Sequence, residues 1–160
     1  MAKRLTESDM NSYLTENYGG VLLREKKVVI DGINPLLQND YGEDNDCTLT
    51  SITTIISWLQ PDLNINEIYN RVELIAKKYF YNGSKFGTIP IFIKPIFNEV
   101  LNYYNIDKTT SVRYLKKIGF DFEFIQKQID NNKPIILSLC SDGRGYYENH
   151  SITIIGYTRI

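Results

Sequence analysis

The strongest constraint on this chain is a change of hydrophobic period partway along it. Between residues 47 and 104 apolar side chains recur at steps of three and four. After residue 109 they gather in short runs of strand length. Steps of three and four put apolar groups on one side of a helix, and short apolar runs fit buried strands. A chain that runs helices first and antiparallel-looking strands last is expected to be α+β. At 160 residues it is long enough for a real hydrophobic core and is read as one domain. Residues 1–37 form an N-terminal helix and hairpin, 38–107 a mainly helical part, and 108–160 a mainly β part.

Local signals refine this. Residues 6–17 suggest a short helix stopped by Gly19-Gly20. Val21-Leu22-Leu23, a charged turn at 24–27, and Val28-Val29-Ile30 read as a hairpin. An irregular polar loop from 31 to 46 holds Gly32, Pro35, Gly42 and Gln38. Residues 47–59 turn helical, with Ile52, Ile55, Ile56 and Leu59 on one face, despite a Thr/Ser content that is high for a helix interior. Asn64 or Asn66 can cap the next helix, 65–79. Thr88 can cap a third segment running to Tyr104, interrupted or restarted at Pro95. Residues 109–114 are β-like, 121–131 a short helix, 135–139 a buried strand, and 150–157 the next strand.

Composition excludes more than it proposes. The hydrophobic share is 42%, and the net charge of −1 gives no pull toward nucleic acid or an anionic membrane. The 12 tyrosines have no basic stripe beside them, so they are read as core rim and substrate groove rather than base-stacking platforms. No stretch approaches the ~18 apolar residues of a membrane span. The polar N-terminus lacks a signal peptide's apolar segment, so the default is a cytoplasmic protein, or a secreted one whose leader has been removed. One histidine and no CxxC leave few ligands for a metal, no phosphate loop is present, and no cofactor is expected. Cys47 and Cys140 could pair, but a domain of this size needs no such staple.

The chemistry-bearing residues are Cys47, in Asp46-Cys47-Thr48-Leu49-Thr50-Ser51-Ile52, and the chain's only histidine, in Asn149-His150-Ser151-Ile152-Thr153-Ile154-Ile155-Gly156-Tyr157. Asp46 is placed to cap the helix that Cys47 opens. Free N–H groups and the helix dipole favour a thiolate there, and the backbone N–H of Cys47 can help hold an oxyanion; the neighbouring carboxylate of Asp46 opposes the thiolate. In a strand starting at His150, residues 150, 152 and 154 share a face, and a histidine where that face leaves the core suits a general base. Taken alone, a lone histidine is more often structural and a cysteine more often a small buried hydrophobe.

These two blocks, together with Ile129-Asp130-Asn131-Asn132-Lys133-Pro134-Ile135-Ile136-Leu137-Ser138-Leu139, resemble the papain-like cysteine peptidase fold over roughly residues 38–157. Asp46-Cys47 is similar to bacterial peptidases that trim leaders from bacteriocin precursors, and to their uncharacterised relatives. The resemblance implies a helical part packed on an antiparallel sheet, Cys47 and His150 as nucleophile and base, and a peptide or protein substrate. The sequence departs from the family in three places. Thr48 replaces the usual small residue after the cysteine. The family's oxyanion glutamine falls at Tyr41, with Gln38 the nearest glutamine and Asn39 and Asn45 other amide donors. The Asn or Asp that orients the histidine has no counterpart before Ile160, so another residue orients the ring, or the sequence is a piece, or the protein is not a full enzyme. The expected function is therefore a cysteine peptidase or related amide hydrolase. The alternatives are a catalytically impaired peptide-binding or regulatory module, and acyl transfer by the same pair.

Overall fold

The computed structural model describes residues 12–13, 15–17, 26–38, 45–113, 121–139 and 150–159. The 21–23 arm of the expected hairpin, Asn39, Tyr41, Cys140 and the 141–145 loop lie outside them. Residues 12–13 and 15–17 are helical, as the N-terminal pattern suggests.

Strand β1 spans Lys26–Val29, helix α1 Cys47–Leu59 and helix α2 Ile65–Lys77. A 3-10 turn at Pro90–Phe92 leads into α3, Ile93–Tyr103, followed by α4, Phe122–Asp130. Strands β2 (Ile135–Leu139), β3 (His150–Ile154) and β4 (Gly156–Arg159) complete the described elements. Apart from β1, which precedes α1, the described helices come before the antiparallel strands, compatible with the α+β reading.

The helices start where the sequence signals them. The side chain of Asn64 accepts from the N–H groups of Asn66 and Glu67, and Asp121 accepts from Phe124 N, so both caps satisfy donors that a helix start leaves bare. Pro95 falls in the first turn of α3, where its missing N–H costs nothing. Thr88 does not cap this segment: Ile89 holds the cap position, and the Thr88 hydroxyl is buried without a hydrogen bond among the described residues.

Helix α1 is the centre of the molecule. The sequence suggested one buried face, but every residue from Thr48 to Ile56 is buried. On one side Leu49, Ile52 and Ile56 pack with Ile68, Val72 and Ala76 of α2 and with Ile96, Val100 and Leu101 of α3. A smaller cluster gathers Ile30, Ile125, Ile129 and Tyr157, with Trp58 of α1 against it. The Thr/Ser content now has a reason. Small polar side chains let neighbours approach from all sides, and Thr54 returns its hydroxyl to Thr50 O at 2.9 Å.

The strands correct the sequence reading in four respects. Lys26 and Lys27 belong to β1 rather than to a turn, and β1 pairs antiparallel with β4, placing Lys26 opposite Arg159 and Val29 opposite Gly156. Residues 109–113 are irregular; Thr110 is tied to α3 instead, donating both its N–H and its hydroxyl to Asn98 Oδ1. Strand β2 is half-buried throughout rather than buried, because it lies in a two-stranded sheet with β3. Finally, 150–157 is not one strand. It breaks at Ile155, whose carbonyl accepts from Ile30 N, and the chain passes from the β2–β3 sheet to the β1–β4 sheet. Gly156 makes that passage feasible: a side chain there would press on the carbonyl of Val28, 2.7 Å from its Cβ.

Candidate active site

Cys47 is the first residue of α1, and its half-buried thiol is free. Asp46 occupies the N-cap position, and its carbonyl accepts the first helical bond, from Thr50 N at 2.9 Å. Its side chain, however, does not cap. The carboxylate is fully buried and instead accepts a hydrogen bond from the hydroxyl of Tyr69 on α2, at 2.5 Å. Its backbone (φ −101°, ψ 18°) is not the extended one that turns a capping oxygen back toward the helix. Burial first, then the bond to Asp46 and the charge there, push the Tyr69 phenol far above its ordinary value, so it stays a donor.

The residue before, Asn45, is braced as well. Its side-chain amide donates to Gly83 O at 2.9 Å. Gly87, on the opposite arm of the Asn82–Gly87 bridge, lies so close to the Asn45 carbonyl that a side chain has no room. Gly87 also adopts a left-handed φ of 68°, which glycine alone takes without strain. The approach to Cys47 is therefore held by α2 and by the 82–87 turn together.

His150 opens β3, paired with Leu139 of β2. Burial lowers its imidazole below the ordinary value, favouring the neutral ring. The next residue makes the connection to α1. The backbone N–H of Ser151 donates to Cys47 Sγ at 3.3 Å, and the Ser151 and Thr48 hydroxyls share a hydrogen bond of 2.8 Å. The fold thus brings the cysteine-headed helix and the histidine-headed strand together, across 104 residues of sequence. The burial alternation of β3 places Ser151 against α1, while Ile152 is 37% exposed on the other face.

Gln38 is half-buried in the segment leading toward the site. Leu36, two residues earlier, donates its N–H to Thr54 Oγ1 at 3.4 Å, so this segment runs alongside α1. Sequence reasoning missed Tyr69 and Ser151. The signal for Tyr69 was faint but present: it neighbours Ile68 on the buried side of an amphipathic helix, where a phenol needs an acceptor. Ser151 carries no signal until its register against α1 is known. No group of three or more His, Cys, Asp or Glu placed to hold a metal occurs among the described residues.

A cysteine-headed helix docked on the start of a histidine-headed antiparallel strand has the parts of a thiol-dependent hydrolase. The family comparison agrees in class: the chain matches the model of the Peptidase_C39 like family over residues 30–160 and belongs to that family, which relates it to the papain-like cysteine peptidases. The matched span contains Cys47 and His150 and runs from the end of β1 through β4. No curated protein and no solved structure matches the chain.

Proposed function

We propose that this chain is a single-domain cysteine peptidase, or a related amide hydrolase, with Cys47 as nucleophile and His150 as general base. The observation that carries the reading is the contact of Cys47 Sγ with the amide of the residue that follows the only histidine. His150 takes the thiol proton, and the thiolate adds to the carbonyl carbon of the scissile bond. The oxyanion that forms is met by the Cys47 backbone N–H. Collapse of the adduct breaks the C–N bond, and His150 returns its proton to the leaving amine. Water, deprotonated by His150, then hydrolyses the thioester.

Three features support these roles. Cys47 is the first residue of α1, where backbone N–H groups have no partner within the helix. The Tyr69 hydroxyl, held on the Asp46 carboxylate, tempers the one nearby group that opposes a thiolate. Gln38 is the second oxyanion donor. Thr54 lies about 10 Å along the helix from Cys47, at 1.5 Å per residue. Gln38 follows Leu36, whose N–H donates to Thr54 of α1, by two residues.

The substrate is a peptide or protein, and the Asp46-Cys47 pair favours leader removal from a precursor peptide over general digestion. The test is turnover of leader-bearing peptide libraries. Cleavage lost in Cys47→Ala and His150→Ala supports the hydrolase. Peptide binding untouched by Cys47→Ser, without turnover by the parent, replaces it with the binding-module reading.

A further inference from the structure

We infer that the buried hydroxyl pair Thr48–Ser151 is a positioning device that fixes the register between nucleophile and base; the inference rests on the Cys47–His150 reading above. Thr48 directly follows the nucleophile and Ser151 directly follows the base. Their oxygens lie 2.8 Å apart, with the residues 2% and 6% exposed. Ser151 thus makes two contacts with consecutive residues of α1: its amide to the sulfur of Cys47, and its hydroxyl to Thr48. One contact would leave a pivot. Two contacts to neighbouring residues fix both the sliding and the turning of β3 against the helix.

The chemistry of the pair argues for position rather than for packing alone. Two apolar side chains would fill the same space without removing hydroxyls from water, which is costly unless they are bonded. What the hydroxyls add is direction. A one-residue slip of β3 would set His150 or Ile152 against Thr48, and would move the histidine by about 3.3 Å along the strand. Neither of those side chains can replace the compact hydroxyl pair in that space, so the correct register is the one that satisfies both oxygens. Thr48 thereby has a reason to stand where the related peptidases carry a smaller residue. Among the described residues, Asp46 and Cys47 precede Thr48 on the α1 side, with Tyr69 of α2 on Asp46, and His150 precedes Ser151 on the β3 side.

The test reads Cys47 rather than turnover. Iodoacetamide alkylation of the Cys47-containing peptide is followed by mass spectrometry from pH 5 to 9, alongside thermal unfolding, in the full chain. The wild type is expected to be alkylated faster than His150→Ala at pH 6 and 7. Thr48→Val and Ser151→Ala are expected to shift the alkylation midpoint upward by about one pH unit, equivalent to about tenfold slower reaction at pH 6. Thr48→Ser, which keeps the hydroxyl, restores the wild-type profile. If Thr48→Val does not fold, Ser151→Ala and Thr48→Ser carry the same expectations. A midpoint unmoved in the folded variants, even with a lower melting temperature, makes the pair merely structural and overturns the inference while leaving the hydrolase reading intact. A wild-type thiol with an ordinary midpoint, indifferent to His150→Ala, overturns both.

Discussion

Cys47 heads a helix buried on every side from Thr48 to Ile56, whereas His150 heads a half-buried strand whose only ladder partner among the described residues is β2. The residues before Cys47 are braced by two other parts of the chain, through Tyr69 and through Gly83 and Gly87. At the head of β3, Ser151 makes two links to α1. The lesson is a division of labour: Cys47 is held by the core, and the head of β3 is tied to the helix that Cys47 opens. Disturbances at the surface should reach the head of β3 before they reach Cys47.

That contrast can be broken at several levels. The largest effect is expected in the core. Ile52→Ala, at a fully buried position, should cost about 2–5 kcal/mol in urea unfolding, while Ile152→Ala on the exposed face of β3 should cost less than about 1 kcal/mol. Equal losses would end the comparison. Next comes the brace on Asp46: Tyr69→Phe removes the donor to a fully buried carboxylate and is expected to cost about 1–3 kcal/mol in urea unfolding. Gly87→Ala should cost about 1–3 kcal/mol, since it adds both a left-handed alanine and a clash with the Asn45 carbonyl.

The smallest effect is a titration. Burial holds His150 below its ordinary value, so between the two values the unfolded chain binds the proton that the folded chain refuses. Stability from this group is complete above the ordinary imidazole value of about 6.5 and declines as pH falls through it toward the folded value. In a Cys47→Ala background, where no thiolate can attract the proton, urea midpoints should fall from pH 7.5 to pH 5 more steeply than in Cys47→Ala/His150→Phe. The opposite slope would mean that a charged partner outweighs burial.

Much of this was legible in the sequence, for reasons that can be localised. The start of α1 at Cys47 and the Asn64 cap follow from local chemistry, which neighbours in space rarely overrule. Strand β2 was placed correctly because Lys133-Pro134 punctuates its start. The sheet pairings were not legible. Nothing near Lys26 announces that its partner is Arg159, and the break at Ile155 depends on Val28 pressing against Gly156. The same holds at the site: cysteine and histidine were visible as types, but the links between them, Ser151 and Thr48, exist only once β3 has its register. Asp46 shows the limit of local rules, since a residue well suited to capping was drawn instead to a phenol from another helix.

The switch of sheets at Ile155 has a consequence for how the protein comes into being. The strand that closes on Lys26–Val29 is Gly156–Arg159, so that pairing joins regions about 130 positions apart. Contacts of such span form late and slow folding, because a long loop must close before they reward it. During synthesis the three-helix cluster can assemble first, with Cys47 already at its helix start. The strand that His150 opens follows those helices in the chain and is made after them. The contact of Ser151 with Cys47 therefore forms after the helices that hold Cys47 rather than together with them.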